Sequence, residues 1–182
     1  MKAPELKFSA DYILKNEDFS LSFGAGAIAF ENVSEYKLWK NYFPFIKSQL
    51  NKFFALNIID KISRIGVRYA SVFNGNNKIE EALNFIPKIP IDDYEQSFGI
   101  MRLDFKKAGY NFHVQLANNA KVKKNNKSLS GVYIDIDSSY TETLQPNNDI
   151  LRIIDELHTE GKILFFTKLI KPSFLETLNP KY

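Results

Sequence analysis

Between Lys61 and Phe73 the chain alternates without a break, and the two sides of the alternation differ in chemistry. Ile65, Val67, Tyr69, Ser71 and Phe73 fall on one side; Arg64, Gly66, Arg68, Ala70 and Val72 fall on the other. A period of two predicts a β-strand with one face on a core. On the opposite face two guanidinium groups stand four residues apart, with no side chain on Gly66 between them. That face is open for contact. Whether its arginines meet a ligand or the chain's own acids is the question on which a functional reading turns.

A chain of 182 residues is long enough for one ordinary domain with a single core. We expect one domain over 1–182, in which 1–17, where Phe8, Ala10 and Tyr12 alternate, form a weak edge strand or a tail. Hydrophobic residues make up 45% and charged residues 25%, the usual globular mixture. The 16 Phe and 9 Tyr read first as an aromatic core and second as platforms for stacked bases. A net charge of +3 permits nucleic-acid contact without demanding it. Without cysteine there is no disulfide framework, thiolate metal site or cysteine nucleophile, which points to the inside of a cell. Met1-Lys-Ala-Pro-Glu-Leu-Lys7 lacks an apolar leader core, and no run approaches a membrane span, so a soluble cytoplasmic chain is expected.

Phe19–Phe23 and Ala27–Phe30 read as a hairpin around Gly24-Ala25-Gly26. No Lys-Ser or Lys-Thr follows those glycines, so a turn is favoured over a phosphate cradle. Trp39, Tyr42, Phe43, Ile46, Leu50, Phe53 and Phe54 recur at helical spacing, predicting a helix over roughly 34–55 capped from Asn32–Ser34 and kinked at Pro44. Its other face carries Lys37, Lys40, Lys47 and Lys52, either a solvated surface or a site for an acidic partner. After a short helix near 79–83 and an extended connector at Pro87 and Pro90, Met101–Phe105, Tyr110–Leu116 and Leu129–Asp137 alternate as strands of an antiparallel meander. A polar loop, Asn118–Ser128, separates the last two. The final helix opens at Pro146-Asn147 and is interrupted by Gly161. It becomes apolar on almost every side over Ile163–Ile170 and ends in a capping-box turn at Ser173 and Glu176. The expected fold is α+β: a curved antiparallel sheet of about six strands packed on two long helices.

Chemistry-bearing side chains gather on the non-core face of that sheet. Arg64, Arg68, Arg102, His113, Asp135 and Asp137 are the candidate ligand-binding residues, with Asp104, Asn111, Gln115 and Tyr133 beside them. Asp135 and Asp137 project from one side of a strand and would suit a hard divalent cation if Asp104 joined them; the alternative is cross-strand ion pairing with the arginines. His113 and His158 are the two histidines, and a site using both would need a strand and a helix residue to meet. Lys121, Lys123, Lys124 and Lys127 are candidate nucleic-acid contacts on a loop that reads equally as solvated. No nucleophile elbow, Walker, kinase, zincin or EF-hand pattern occurs, so no catalytic residue, metal or cofactor is assigned and an enzyme is disfavoured.

The order of these motifs is similar to that of a known family. A Gly-turn hairpin precedes Tyr36-Lys-Leu-Trp39, then come Arg64-Ile-Gly-Val-Arg-Tyr69, Tyr133-Ile-Asp-Ile-Asp137, Leu157-His158 with Phe165 and Phe166, and a terminal Leu178-Asn-Pro180. Across 18–180 this resembles a sporadically distributed family of bacterial and phage proteins of unknown activity. The resemblance implies an association with mobile elements or antiviral defence, an additional N-terminal strand, and interest in Arg64, Arg68, Asp135, Asp137 and His158. It implies no reaction. The functional expectation is a non-catalytic recognition module that uses its arginine-bearing face, or an exposed sheet edge, to contact a protein partner or small anionic ligand. A metal-dependent phosphodiesterase or nuclease using Asp104, Asp135 and Asp137, and a nucleic-acid-binding protein using the lysines, are the alternatives. An edge left open at the N-terminal strand would be closed by a second copy, giving a homodimer, or by a strand from another protein.

Overall fold

The computed structural model describes residues 10–24, 26–74, 79–85, 93, 99–124, 127–147 and 149–177. The fold is mixed α+β with antiparallel sheets, and the chain divides into two compact units, 1–59 and 60–182.

In the first unit β1 (Tyr12–Lys15), β2 (Phe19–Gly24) and β3 (Ala27–Asn32) form an antiparallel sheet in that order, followed by α1 (Trp39–Ala55). The turn into β2 is fixed by Asn16, whose Oδ1 accepts from the backbone of Asp18 and Phe19 at 2.9 and 2.7 Å. Hairpin and helix meet through aromatic rings. Phe19 stacks on Tyr42 and Phe45, Phe30 meets Phe45 edge-on, and Phe23 meets Phe53 edge-on. The stripe read from the sequence is therefore core packing. The helix starts later than the capping residues suggest. Asn32 instead organises the approach, its amide donating to the Ser34 and Glu35 carbonyls while its oxygen accepts from Lys37 N.

In the second unit β4 (Ile65–Asn74), β5 (Ile100–Lys107), β6 (Tyr110–Lys124) and β7 (Lys127–Tyr140) form an antiparallel sheet in the order β4-β7-β6-β5. The three meander strands are neighbours, as their alternation predicts, and β4 closes onto β7. α2 (Ile79–Ala82), α3 (Asp149–Ile163), a π-helical turn (Leu164–Leu169) and α4 (Pro172–Thr177) complete the unit. α3 packs on β4 and β7. Val114, Leu116, Val132, Ile134 and Ile136 from the sheet pack with Ile79, Leu83, Leu169, Ile170 and Phe174, all nearly or fully buried. Each such side chain contributes about 1.5–3 kcal/mol through burial.

The expected single sheet of six strands is thus two sheets, of three and four strands. The Trp39 helix packs on the first and the C-terminal helix belongs to the second. Periodicity reports which face of a strand is apolar; it carries no information on which strands share a ladder. Gly161 does not interrupt α3, which runs through it to Ile163. The winding changes afterwards, where Ile170 N donates to Phe165 O five residues back. Pro172 begins α4, so Ser173 lies inside that helix rather than capping it. The polar segment 118–128 is mostly strand: β6 continues to Lys124 and β7 begins at Lys127. There hairpin pairing overrides composition.

Candidate functional site

The polar face of the four-stranded sheet is laid out in rows. Arg68, Asp137, His113 and Asp104 stand in register across β4, β7, β6 and β5, and Ala70, Asp135, Gln115 and Arg102 form the next row. Five of the six candidate ligand-binding residues are therefore brought to one face, and Arg64, just before β4, joins them through Asp137. Both β4-side arginines reach diagonally. Arg68 grips Asp135 as a fork, Nε at 2.9 Å and Nη2 at 2.6 Å, while Arg64 Nη2 donates to both Asp137 oxygens at 2.8 Å. Arg64 can do this because it lies over Gly66, where an added Cβ would come 2.6 Å from its Nη1.

The two pairs differ in burial. The Asp135 side chain is 8% exposed and also accepts from Tyr133 OH at 3.0 Å, whereas Asp137 is 33% exposed. The hydrogen bonds to Asp135 push the Arg68 guanidinium further toward its charged form, and burial beside Asp135 pushes the Tyr133 phenol up. On β5 and β6, His113 Nδ1 lies 2.5 Å from Asp104 Oδ1, and Arg102 Nε donates to Gln115 at 3.2 Å.

Each carboxylate thus has a cationic or imidazole partner, the arrangement that cross-strand pairing gives. Asp104 stands two strands from Asp137 in the same row, roughly 10 Å away at ordinary strand spacing. Among the described residues no group of three or more His, Cys, Asp or Glu is placed to hold a metal ion. With Lys106 beside Asn111 in a further row, four cationic side chains stand on this face against three aspartates, and each of the three aspartates already has its partner within the chain.

No protein-family model, curated protein or solved structure matches the chain. No helix among the described residues is long and apolar enough to cross a membrane.

The two histidines stand apart. His113 is exposed on the polar face, while His158 on α3 is half-buried, sharing a 2.7 Å hydrogen bond between its Nδ1 and Tyr69 OH. Burial pulls the His158 imidazole down to about 4; Asp155 opposes that shift and Lys162 adds to it. Lys121, Lys123, Lys124 and Lys127 lie on the β6–β7 hairpin, away from the arginine rows along both strands.

Two features went unread in the sequence. One is a cluster in which Tyr110 OH donates to Glu156, itself held by Arg152 at 2.7 Å, beside a shallow cleft of about 350 Å³ formed by the β5–β6 turn with Thr141 and Glu142. The Arg152–Glu156 spacing of four was the available signal. The other is the apolar character of β1, which was expected only as a weak edge strand within 1–17. Tyr12, Ile13 and Leu14 are 63%, 54% and 60% exposed on the outermost strand of their sheet. Three consecutive large apolar residues were the available signal.

Proposed function

We propose that the protein is a non-catalytic interaction module that works through the edge of its three-stranded sheet, and that the edge is closed by a second copy of the chain. The observation that carries this is the exposure of Tyr12, Ile13 and Leu14 on an outermost strand. The arginine face, by contrast, is occupied by its own acids. Asn16 N donates to Phe19 O in the β1–β2 ladder, so by antiparallel alternation the N–H and C=O of Ile13 point away from β2. Such groups are a template for another strand.

The strand is self-complementary about Ile13. In a two-fold antiparallel pairing Ile13 meets its copy, Tyr12 meets Leu14, and Asp11 comes opposite Lys15, joining opposite charges at both ends. A pairing of this length buries little area, so association is concentration-dependent and weak. The mobile-element or defence association implied by the motif resemblance fits a module that acts by contact rather than turnover.

Light scattering over a concentration series tests this. The expected mass rises from the 21.0 kDa of one chain toward twice that value. Ile13→Pro removes an outward-facing donor without touching the ladder to β2 and holds the chain monomeric. A wild-type mass that stays at one chain overturns the second copy and leaves the edge to a strand from another protein. An Ile13→Pro chain that still dimerises overturns the edge itself.

A further inference from the structure

The β6–β7 hairpin outruns its sheet. The last partner of β5 on β6 is Ala117, opposite Ile100, and the last partner of β4 on β7 is Gly131, opposite Asn74. Beyond them, among the described residues, the hairpin continues as a two-stranded ribbon from Lys121 opposite Ser130 to Lys124 opposite Lys127. Four residues per strand span roughly 13 Å. The ribbon leaves the sheet at a bulge, where Asn118 and Asn119 stand against Val132 alone. That root is braced: Asn118 N donates to Gly99 O at 3.1 Å, and its side-chain oxygen accepts from Ile79 N at 3.1 Å.

Charge is one-sided over the same stretch. From Phe105 to Ile134 there are six lysines and no Asp or Glu, and four of the six are Lys121, Lys123, Lys124 and Lys127. The register sets Lys124 opposite Lys127 at the described end of the ribbon. We infer that this ribbon docks into a groove of double-stranded DNA, its lysines on the phosphates. The major groove is about 12 Å wide and admits a two-stranded β-ribbon. Phosphate neutralisation supplies the affinity, so binding is largely independent of sequence. This contact is separate from the β1 edge and does not require it.

Fluorescence anisotropy with a short labelled DNA duplex tests the inference on the full chain. Four lysine–phosphate contacts give a salt slope near −3.6, which is about a hundred-fold loss of affinity between 50 and 200 mM salt. Replacing Lys121, Lys123, Lys124 and Lys127 together by Gln abolishes binding at 200 mM and flattens the slope, with an unchanged thermal melt. Replacing Lys40, Lys47 and Lys52 of α1 by Gln, a similar charge deletion, leaves affinity within about two-fold of wild type, since none of these sits on the ribbon. Absence of binding at 50 mM salt, or an unaltered affinity in the ribbon variant, overturns the inference. An equal loss in the α1 variant reduces it to bulk charge and overturns the site. A single strand or heparin bound as tightly as the duplex overturns the groove.

Discussion

The backbone of Gly161 in α3 passes so close to β7 that a Cβ on it would lie 2.7 Å from Ser138 Oγ. Ser138 is 1% exposed, so its hydroxyl has little room to move aside. Gly161→Ala should gain the usual helix propensity of about 0.5–1 kcal/mol and lose more to overpacking, a net destabilisation of about 1–2 kcal/mol. Ser138→Ala removes the colliding atom, so the double variant should recover most of the loss. Urea unfolding of the two single variants and the double variant measures this coupling; strict additivity would show that the helix does not approach the strand in this way.

Arg68→Ala and Arg64→Ala should differ, although both remove an arginine from the same strand region. Arg68 leaves behind a carboxylate that is 8% exposed and keeps only Tyr133, at a cost of about 1–3 kcal/mol. Arg64 leaves a carboxylate that is 33% exposed and readily hydrated, so its loss should cost under about 1 kcal/mol. Gly66→Ala should reproduce the Arg64 effect, because the new methyl displaces that guanidinium. Chemical denaturation ranks the three, and equal costs for the two arginine variants would contradict the burial difference.

His158 gives stability a pH dependence with a defined sign. Its folded-state value of about 4 lies below the ordinary 6.5, so the unfolded chain binds its proton first. The contribution is complete above about 6.5 and is lost as pH falls toward 4, with a slope of at most about 1.4 kcal/mol per pH unit. His158→Gln, which retains a polar partner for Tyr69, should flatten this part of the profile. Thermal melts of both proteins between pH 7 and 4 provide the comparison.

Ala108 has φ +50° and Gly109 φ +83°, the two central positions of the β5–β6 hairpin between Lys107 and Tyr110. Such a turn prefers Asn or Asp before Gly, and an alanine in left-handed conformation is strained. Ala108→Asn should raise stability by about 0.5–1 kcal/mol, seen as a higher melting temperature without a change in the denaturant slope.

Much of this arrangement was legible in the residues. The two-residue period of 61–73 placed Tyr69 and Phe73 on the core side and both arginines opposite, because a half-buried strand must sort its side chains that way. The same logic gathered Arg102, His113, Asp135 and Asp137 on one face. What periodicity could not say was that Arg68 would skip its register partner Asp137 for Asp135, since a long side chain chooses among neighbours by geometry. It also could not separate Phe19–Phe30 from the later strands. Phe19 pairs with Phe45 through the hairpin's own helix, a contact local enough to close a unit without the rest of the chain. The polar tip at 118–128 was misread for the opposite reason: backbone pairing needs no apolar side chains once flanking strands fix the register.

The π-helical turn at Leu164–Leu169 means that the C-terminal rod carries one residue more than ordinary winding would hold. That surplus sets the angular phase of everything after it. Leu169 and Ile170 are 2% and 0% exposed, and the strand-like bridge of Ile170 to Leu83 depends on their orientation. Winding the same residues as a regular α-helix would rotate both side chains by about 100° out of their sockets. A chain one residue shorter here could wind regularly and keep both orientations, so related chains that share this core should exchange the π-helical turn for a one-residue deletion before they lose the placement of Leu169 and Ile170.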